Sequence, residues 1–226
     1  MAAGLQPDIE LGASLFDALS GATRQGRGIV RDSYGAGEQA GHDIARGAAQ
    51  RMGLEIGIDA LGNLSMTLPG RDRAAPRIVM GSHLDSVPQG GNFDGAAGVV
   101  AGLSVLSGMR RAGYVPACDL TVMGIRAEES AWFDVAYLGS AGAFGLLDPA
   151  CLGTPRSDNG QTLEAALAGQ GLDPSAIRER RRLLDPARIR AYLELHIEQG
   201  PVMVARGFAI ETPLIVLFPC DQACMN

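Results

Sequence analysis

The sequence predicts an α/β fold, a three-layer arrangement of a mixed sheet with helices on both faces. Two observations carry this. Short apolar runs of strand length alternate with longer segments of helical periodicity. The residues best suited to chemistry fall just after three of those runs, where open α/β sheets place their sites. The chain has 226 residues, 46% hydrophobic and 19% charged, enough apolar material for a core and unlike a disordered chain.

The elements follow in order. Residues 8–20 carry Ile9, Leu11, Leu15, Phe16 and Leu19 at helical spacing. A second helix is predicted over 37–52, ending near Gly53, with His42 on its outer surface. A strand over 54–58 leads into LGNLSMTLPG, a hairpin-like excursion closed by Pro69 and Gly70. RIVMGS, residues 77–82, is a short buried-type strand. A helix over 95–112 turns Ala97, Val100, Leu103, Ser104 and Leu106 inward and is capped by Gly113. Residues 120–126 form another apolar strand. Further helices are predicted over 134–147, 161–170 and 174–189, and a last strand over 189–197 with His196 near its end.

Charge and cysteine usage exclude several classes. A net charge of −6 is opposite to what a phosphate backbone requires, so no nucleic-acid partner is expected. The one basic run, IRERRR at 177–182, contains Glu179 and reads as a solvated helix face. No apolar stretch approaches the roughly 20 residues of a membrane span, so no membrane partner is expected. The N-terminal MAAGLQPDIE lacks the basic-then-apolar order of a signal peptide. Cys118, Cys151, Cys220 and Cys224 form no CxxC pair and suggest no disulfide framework, which points to a reduced, cytoplasmic protein.

The densest signal is GSHLDSVPQGGNFDGAAG, residues 81–98, which sets His83, Asp85 and Asp94 among five glycines directly after a strand. RAEES, with Glu128 and Glu129, ends a second strand, and ELHIEQGP, with His196, ends a third. Each has a plainer reading alone. Asp94 suits a helix N-cap, a histidine after a strand is usually just hydrogen-bonded, and paired glutamates are usually solvated. Together they form the nitrogen and carboxylate ligand set of Zn²⁺, Mn²⁺, Co²⁺ or Ni²⁺. Two adjacent glutamates can take different roles only off regular strand geometry, because successive strand side chains point to opposite faces. Trp132 and Phe133 are read as core packing or, less simply, as a pocket wall.

GSHLDSVPQGGNFDGAAGV, IRAEESAWF and LELHIEQGPV, in that order, resemble the M20-type metal-dependent amidohydrolases. The resemblance runs from about residue 59 to about 206. HIEQGP points to the hydantoinase/carbamoylase branch, which includes N-carbamoyl-L-amino acid hydrolases, allantoate amidohydrolases and β-ureidopropionases. It implies two divalent metal ions. His83 and His196 would hold one ion, Asp94 would bridge the pair, and Glu129 would hold the second. Glu128 would be the general base, Asp85 would orient the His83 imidazole, and Gln199 would contact substrate. Ser140 resembles a pocket position without a catalytic role. The peptide bond after the bridging aspartate tends to be cis in the family, at a cost of about 3 kcal/mol.

The activity so implied is hydrolysis of a linear, non-peptide C–N bond in a small N-carbamoyl or ureido substrate such as allantoate. An M20 aminoacylase or dipeptidase, or a non-catalytic fragment with partial metal binding, are the alternatives. The resemblance stops after HIEQGPVMVARG. Residues 1–206 are therefore read as the N-terminal part of the catalytic domain, and 207–226 as a divergent tail, expected to reflect a C-terminal truncation such as a frameshift near Gly207. On that expectation the lid and dimerisation domain of the homodimeric family is missing. The second ion would lack its last ligand, since no histidine follows His196.

Overall fold

The computed structural model describes residues 5–207; expectations for the tail beyond Gly207, with Cys220 and Cys224, lie outside the described residues. Its centre is a five-stranded mixed sheet: β3 (Glu55–Ile58), β4 (Leu64–Leu68), β5 (Arg77–His83), β6 (Leu120–Ile125) and β7 (Ile189–Leu193), in the order β3-β4-β6-β5-β7. The first two pairings are antiparallel, whereas β5 runs parallel to both β6 and β7. The three parallel strands therefore end on the same side. A two-residue ladder, β1 (Arg24–Gln25) with β2 (Gly28–Ile29), precedes the sheet.

Three helices cover one face: α1 (Ile9–Thr23), α2 (Ala36–Arg51) and α3 (Ala96–Arg111). Alternate strand residues Leu64, Met66 and Leu68, then Leu120 and Val122, point into the core they share with Leu15, Leu19, Leu103 and Leu106. The opposite face is buried as well, at Val79, Thr121 and Met123. On α3 the inward positions include Ala96 and Val99, while Ala97 is half-buried. Gly113 takes the left-handed conformation that ends α3, as the sequence predicts. α1 is capped by Asp8, which accepts from the Leu11 amide.

His42 is a correction. It is 3% exposed, not a surface residue, because α2 packs between α1 and the sheet and turns the ring toward Gly124 and Leu84. Burial holds its pKa well below the ordinary histidine range.

The third part of the chain departs most from expectation. Residues 134–147 yield only α4 (Leu138–Ala143), because the amides of Tyr137, Leu138 and Gly139 bond to the carbonyls of Glu128, Ala127 and Arg126. Asp134 and Tyr137 adopt positive φ to make that turn. After α5 (Leu163–Gly169), the helix expected over 174–189 is reduced to the single turn α6 (Ser175–Arg178). Arg180 turns left-handed, Leu183 and Leu184 donate to the Ala143 carbonyl, and Pro186 opens a 3-10 turn. The basic run leaves the helix at Glu179 rather than forming a helical face. These segments build a second core around Phe133, Leu138, Leu163 and Leu167. β7 ends at Leu193, so His196 lies three residues beyond the strand, and a short helix α7 (Val202–Arg206) follows. No helix among the described residues is long and apolar enough to cross a membrane.

Candidate metal centre

His83 is the last residue of β5, and its side chain is nearly fully buried. Nδ1 faces the Asp85 carboxylate and the Asp85 carbonyl, each at 3.2 Å. Two acceptors at Nδ1 keep the proton there, which leaves the Nε2 lone pair free to coordinate. His196 is set the same way, because its Nδ1 donates to the Ile197 carbonyl at 3.0 Å. The two Nε2 atoms face each other at 3.3 Å, and Asp94 Oδ1 lies 3.3 Å from the His196 nitrogen and 3.8 Å from that of His83. Two nitrogens each about 2.0–2.1 Å from a tetrahedral ion stand about 3.3 Å apart. With both Nδ1 atoms facing acceptors, the spacing fits one shared cation between the two Nε2 atoms.

Asp94 is not the N-cap of α3. That position is Gly95, without a side-chain cap bond, and the Asp94 carboxylate instead meets His196 and accepts from Gln199 Nε2 at 2.9 and 3.1 Å. Gln199 thus touches a ligand-type carboxylate. No cis peptide bond occurs among the described residues; Gly95 at φ +63° makes the bend after Asp94 instead. A Cβ on Gly95 would lie 2.5 Å from His83 ring atoms. Gly95→Ala is therefore expected to push the imidazole off its position and lower metal affinity about 10–100-fold, as losing a ligand's support does. Isothermal titration with Zn²⁺ checks this, and unchanged affinity contradicts it.

Arg31 fixes the loop that carries Asp94. Its fully buried guanidinium donates to the carbonyls of Leu84 (2.7 Å) and Asp94 (3.0 Å), and its backbone exchanges bonds with Ser86. Sequence reading passed over Arg31; an arginine inside the short apolar stretch GIVRDSYG is the signal that was available.

RAEES leaves β6 through Ala127 at φ +49°, which breaks the strand alternation and lets Glu128 and Glu129 share one side, as expected for two neighbours with separate roles. Ligand atoms then fall into two groups within 4.8 Å, His83–Asp94–His196 and His83–Glu128–Glu129. All four expected ligands and Glu128 are thus brought together, but the residue common to both groups is His83, whereas the resemblance makes Asp94 the shared one. Glu129 Oε1 is buried with no hydrogen-bond partner, an orphan acceptor beside the imidazole.

The electrostatics agree. Burial opposes charging of His83, but Asp85, Glu128 and Glu129 outweigh it and lift its pKa to about 9. Asp94 raises His196, whose imidazole in turn lowers Asp94. Burial raises Glu128 and Glu129. A field that retains a proton on a buried imidazole is one that favours a cation at the same point. Donor types, spacing and the orphan oxygen all fit a divalent ion.

Trp132 and Phe133 belong to the second core. Trp132 Nε1 donates to the Ser86 carbonyl at 2.7 Å, and Arg156 lies over its ring. Ser140 bonds only weakly to the Tyr137 carbonyl, at 3.4 Å.

Comparison with known proteins follows the same lines. Peptidase family M28 matches residues 63–156, the stretch that holds His83, Asp94, Glu128 and Glu129. An N-carbamoyl-L-amino acid amidohydrolase of Geobacillus stearothermophilus is 37% identical over 183 residues, 81% of this chain and 44% of the relative. The allantoate amidohydrolase of Bacillus subtilis strain 168 is 32% identical over 155 residues, 69% of this chain and 37% of the relative. Among solved structures, a hydantoinase/carbamoylase family amidase from Burkholderia ambifaria superposes with a TM-score of 0.72 at 34% identity, over 90% of this chain and 48% of that one. The chain spans less than half the length of these relatives.

Proposed function

We propose that this chain, which belongs to the hydantoinase/carbamoylase family of amidohydrolases, is part of a metal-dependent hydrolase of ureido C–N bonds in N-carbamoyl amino acids or related compounds such as allantoate. The observation that carries the reading is the pair of Nε2 atoms facing each other at 3.3 Å beside Asp94. His83, Asp94 and His196 hold one divalent ion, and Glu129, with its unpartnered buried oxygen, serves a second. A divalent ion held there supplies Lewis-acid polarisation of the scissile carbonyl. Zn²⁺, Mn²⁺, Co²⁺ and Ni²⁺ all suit this donor set.

The chain's own residues do the rest. Glu128 is partly exposed, stands 3.8 Å from His83 Nε2, and has its pKa raised by burial toward the range where a carboxyl both accepts and returns a proton. It removes a proton from the attacking water and delivers it to the leaving nitrogen. Asp85 keeps His83 in the Nδ1–H tautomer, and Arg31 holds the Asp94 loop. Addition of one water to an N-carbamoyl amino acid gives the free amino acid, CO₂ and ammonia. Gln199 is positioned beside Asp94 and is proposed to meet substrate at the rim.

The match to Peptidase family M28 favours one alternative, hydrolysis of an acyl amide. Incubating the protein with N-carbamoyl and N-acetyl forms of the same amino acids separates the two. Release of ammonia from the carbamoyl series is expected; turnover of the acetyl series alone would support the aminoacylase reading.

A further inference from the structure

The backbone that carries the two glutamates is held by side chains from three separate parts of the chain. Four successive amides, residues 126–129, each meet a side-chain acceptor. Arg126 N donates to Asn63 Oδ1 at 2.9 Å and Ala127 N to Glu38 Oε1 at 2.7 Å. Glu128 N and Glu129 N donate to the two oxygens of Asp85, both at 3.1 Å. The carbonyls of Arg126, Ala127 and Glu128 accept from Gly139, Leu138 and Tyr137. A segment that has left its β-ladder is thus satisfied on both sides, with a left-handed residue at its start.

Glu38 is the unexpected member. It lies on α2, is 0% exposed, and belongs to neither ligand group. Its Oε1 takes the Ala127 amide; its Oε2 takes the Tyr34 amide at 2.7 Å and Arg126 Nη1 at 3.1 Å. Arg126 is held in turn by the Gly62 carbonyl and by Gln39. Both carboxylate oxygens face donors only, an arrangement that a carboxylate fits and an amide, with its NH₂ group against a donor, does not. Burial raises the Glu38 pKa to about 7 even though Arg126 and the Ala127 and Tyr34 amides act to hold the side chain ionised.

We infer that Glu38 is a positioning residue, which with Asp85 fixes the Ala127–Glu129 backbone so that Glu128 and Glu129 diverge into base and ligand. The inference rests on the proposed roles of those two glutamates. It differs from them in resting on backbone geometry, which can be read without turnover.

The test uses the whole, metal-loaded protein with amide hydrogen exchange and steady-state kinetics side by side. In the wild type, amides 127–129 are expected to exchange as slowly as those of β6; exchange at loop rates would overturn the inference. Glu38→Gln places an NH₂ group against a donor. Exchange at 127–129 is expected to quicken at least about tenfold with α3 unchanged, and kcat to fall about 10–100-fold with KM within about twofold. The kcat loss should vanish in a Glu128→Gln background, which a merely structural role would not produce. Should the glutamine variant not fold, Glu38→Asp, which keeps the charge but cannot span Ala127 and Tyr34 together, is expected to show the same pattern. Unchanged exchange, or kcat within twofold of wild type, overturns the inference. A wild-type protein that releases no ammonia from N-carbamoyl substrates refutes the proposed function instead, and the exchange result still decides the role of Glu38.

Discussion

Replacing Glu128 by glutamine is expected to lower kcat for an N-carbamoyl amino acid by about 10²–10⁴-fold, the range that general acid–base groups contribute. The side chain keeps its volume and loses only the ability to take up and return a proton. It belongs to no group with Asp94 and His196, so metal bound by those residues should remain. Metal analysis beside kinetics checks both halves. Loss of activity together with loss of all metal would instead make Glu128 a ligand, a role that its place within 4.8 Å of His83 and Glu129 makes worth separating. The adjacent Glu129 should behave in the opposite manner, because its buried oxygen has no hydrogen-bond partner among the described residues and is free to meet a cation.

His83→Ala is expected to have the larger effect on binding. His83 is the one residue common to both ligand groups, so its removal weakens both. The loss should exceed the roughly 10–100-fold that removing a hydrogen-bond partner of a ligand costs. Stability supplies an independent reading. A metal at about 100 times its Kd stabilises a folded protein by about 2.7 kcal/mol, because the unfolded chain does not assemble the site. Addition of Zn²⁺ should therefore raise the Tm of the wild type and leave that of His83→Ala unchanged at the same concentration. The variant also leaves Asp85 without its imidazole partner, so the Ser33 hydroxyl and the Glu128 and Glu129 amides are left to compensate its carboxylate.

The parts of this molecule legible in the sequence are those with local causes. β5 and β6 are short apolar runs between turn residues, and their ends place His83 and RAEES without reference to anything distant. Gly113 ends α3 where a glycine is expected to end a helix. His83, Asp85, Asp94, Glu128, Glu129 and His196 were all identifiable as ligand-type residues after strands, and they converge.

The illegible parts have distant causes. The helix expected over 134–147 is shortened because its leading amides bond to the backbone of residues 126–128, a contact with no local signature. The segment after α6 turns because Leu183 and Leu184 find the Ala143 carbonyl; only Pro186 warned of a break. Arg31, Glu38 and Arg126 are charged residues in the interior, where such side chains are rare unless paired. Each has a partner more than 50 residues away, at Leu84, Ala127 and Glu38 respectively. His42 was misplaced for the same reason, since the helix face it occupies is buried by α1 and the sheet together.

On the proposed function, ureido hydrolysis depends on a metal held by His83, Asp94 and His196. The most direct measurement is ammonia release from an N-carbamoyl-L-amino acid by the whole protein, stripped with a chelator and then reconstituted with Zn²⁺ or Mn²⁺. The expected result is no release from the stripped protein and restored release on reconstitution. Equal release before and after metal removal would show that hydrolysis does not depend on a metal at this site.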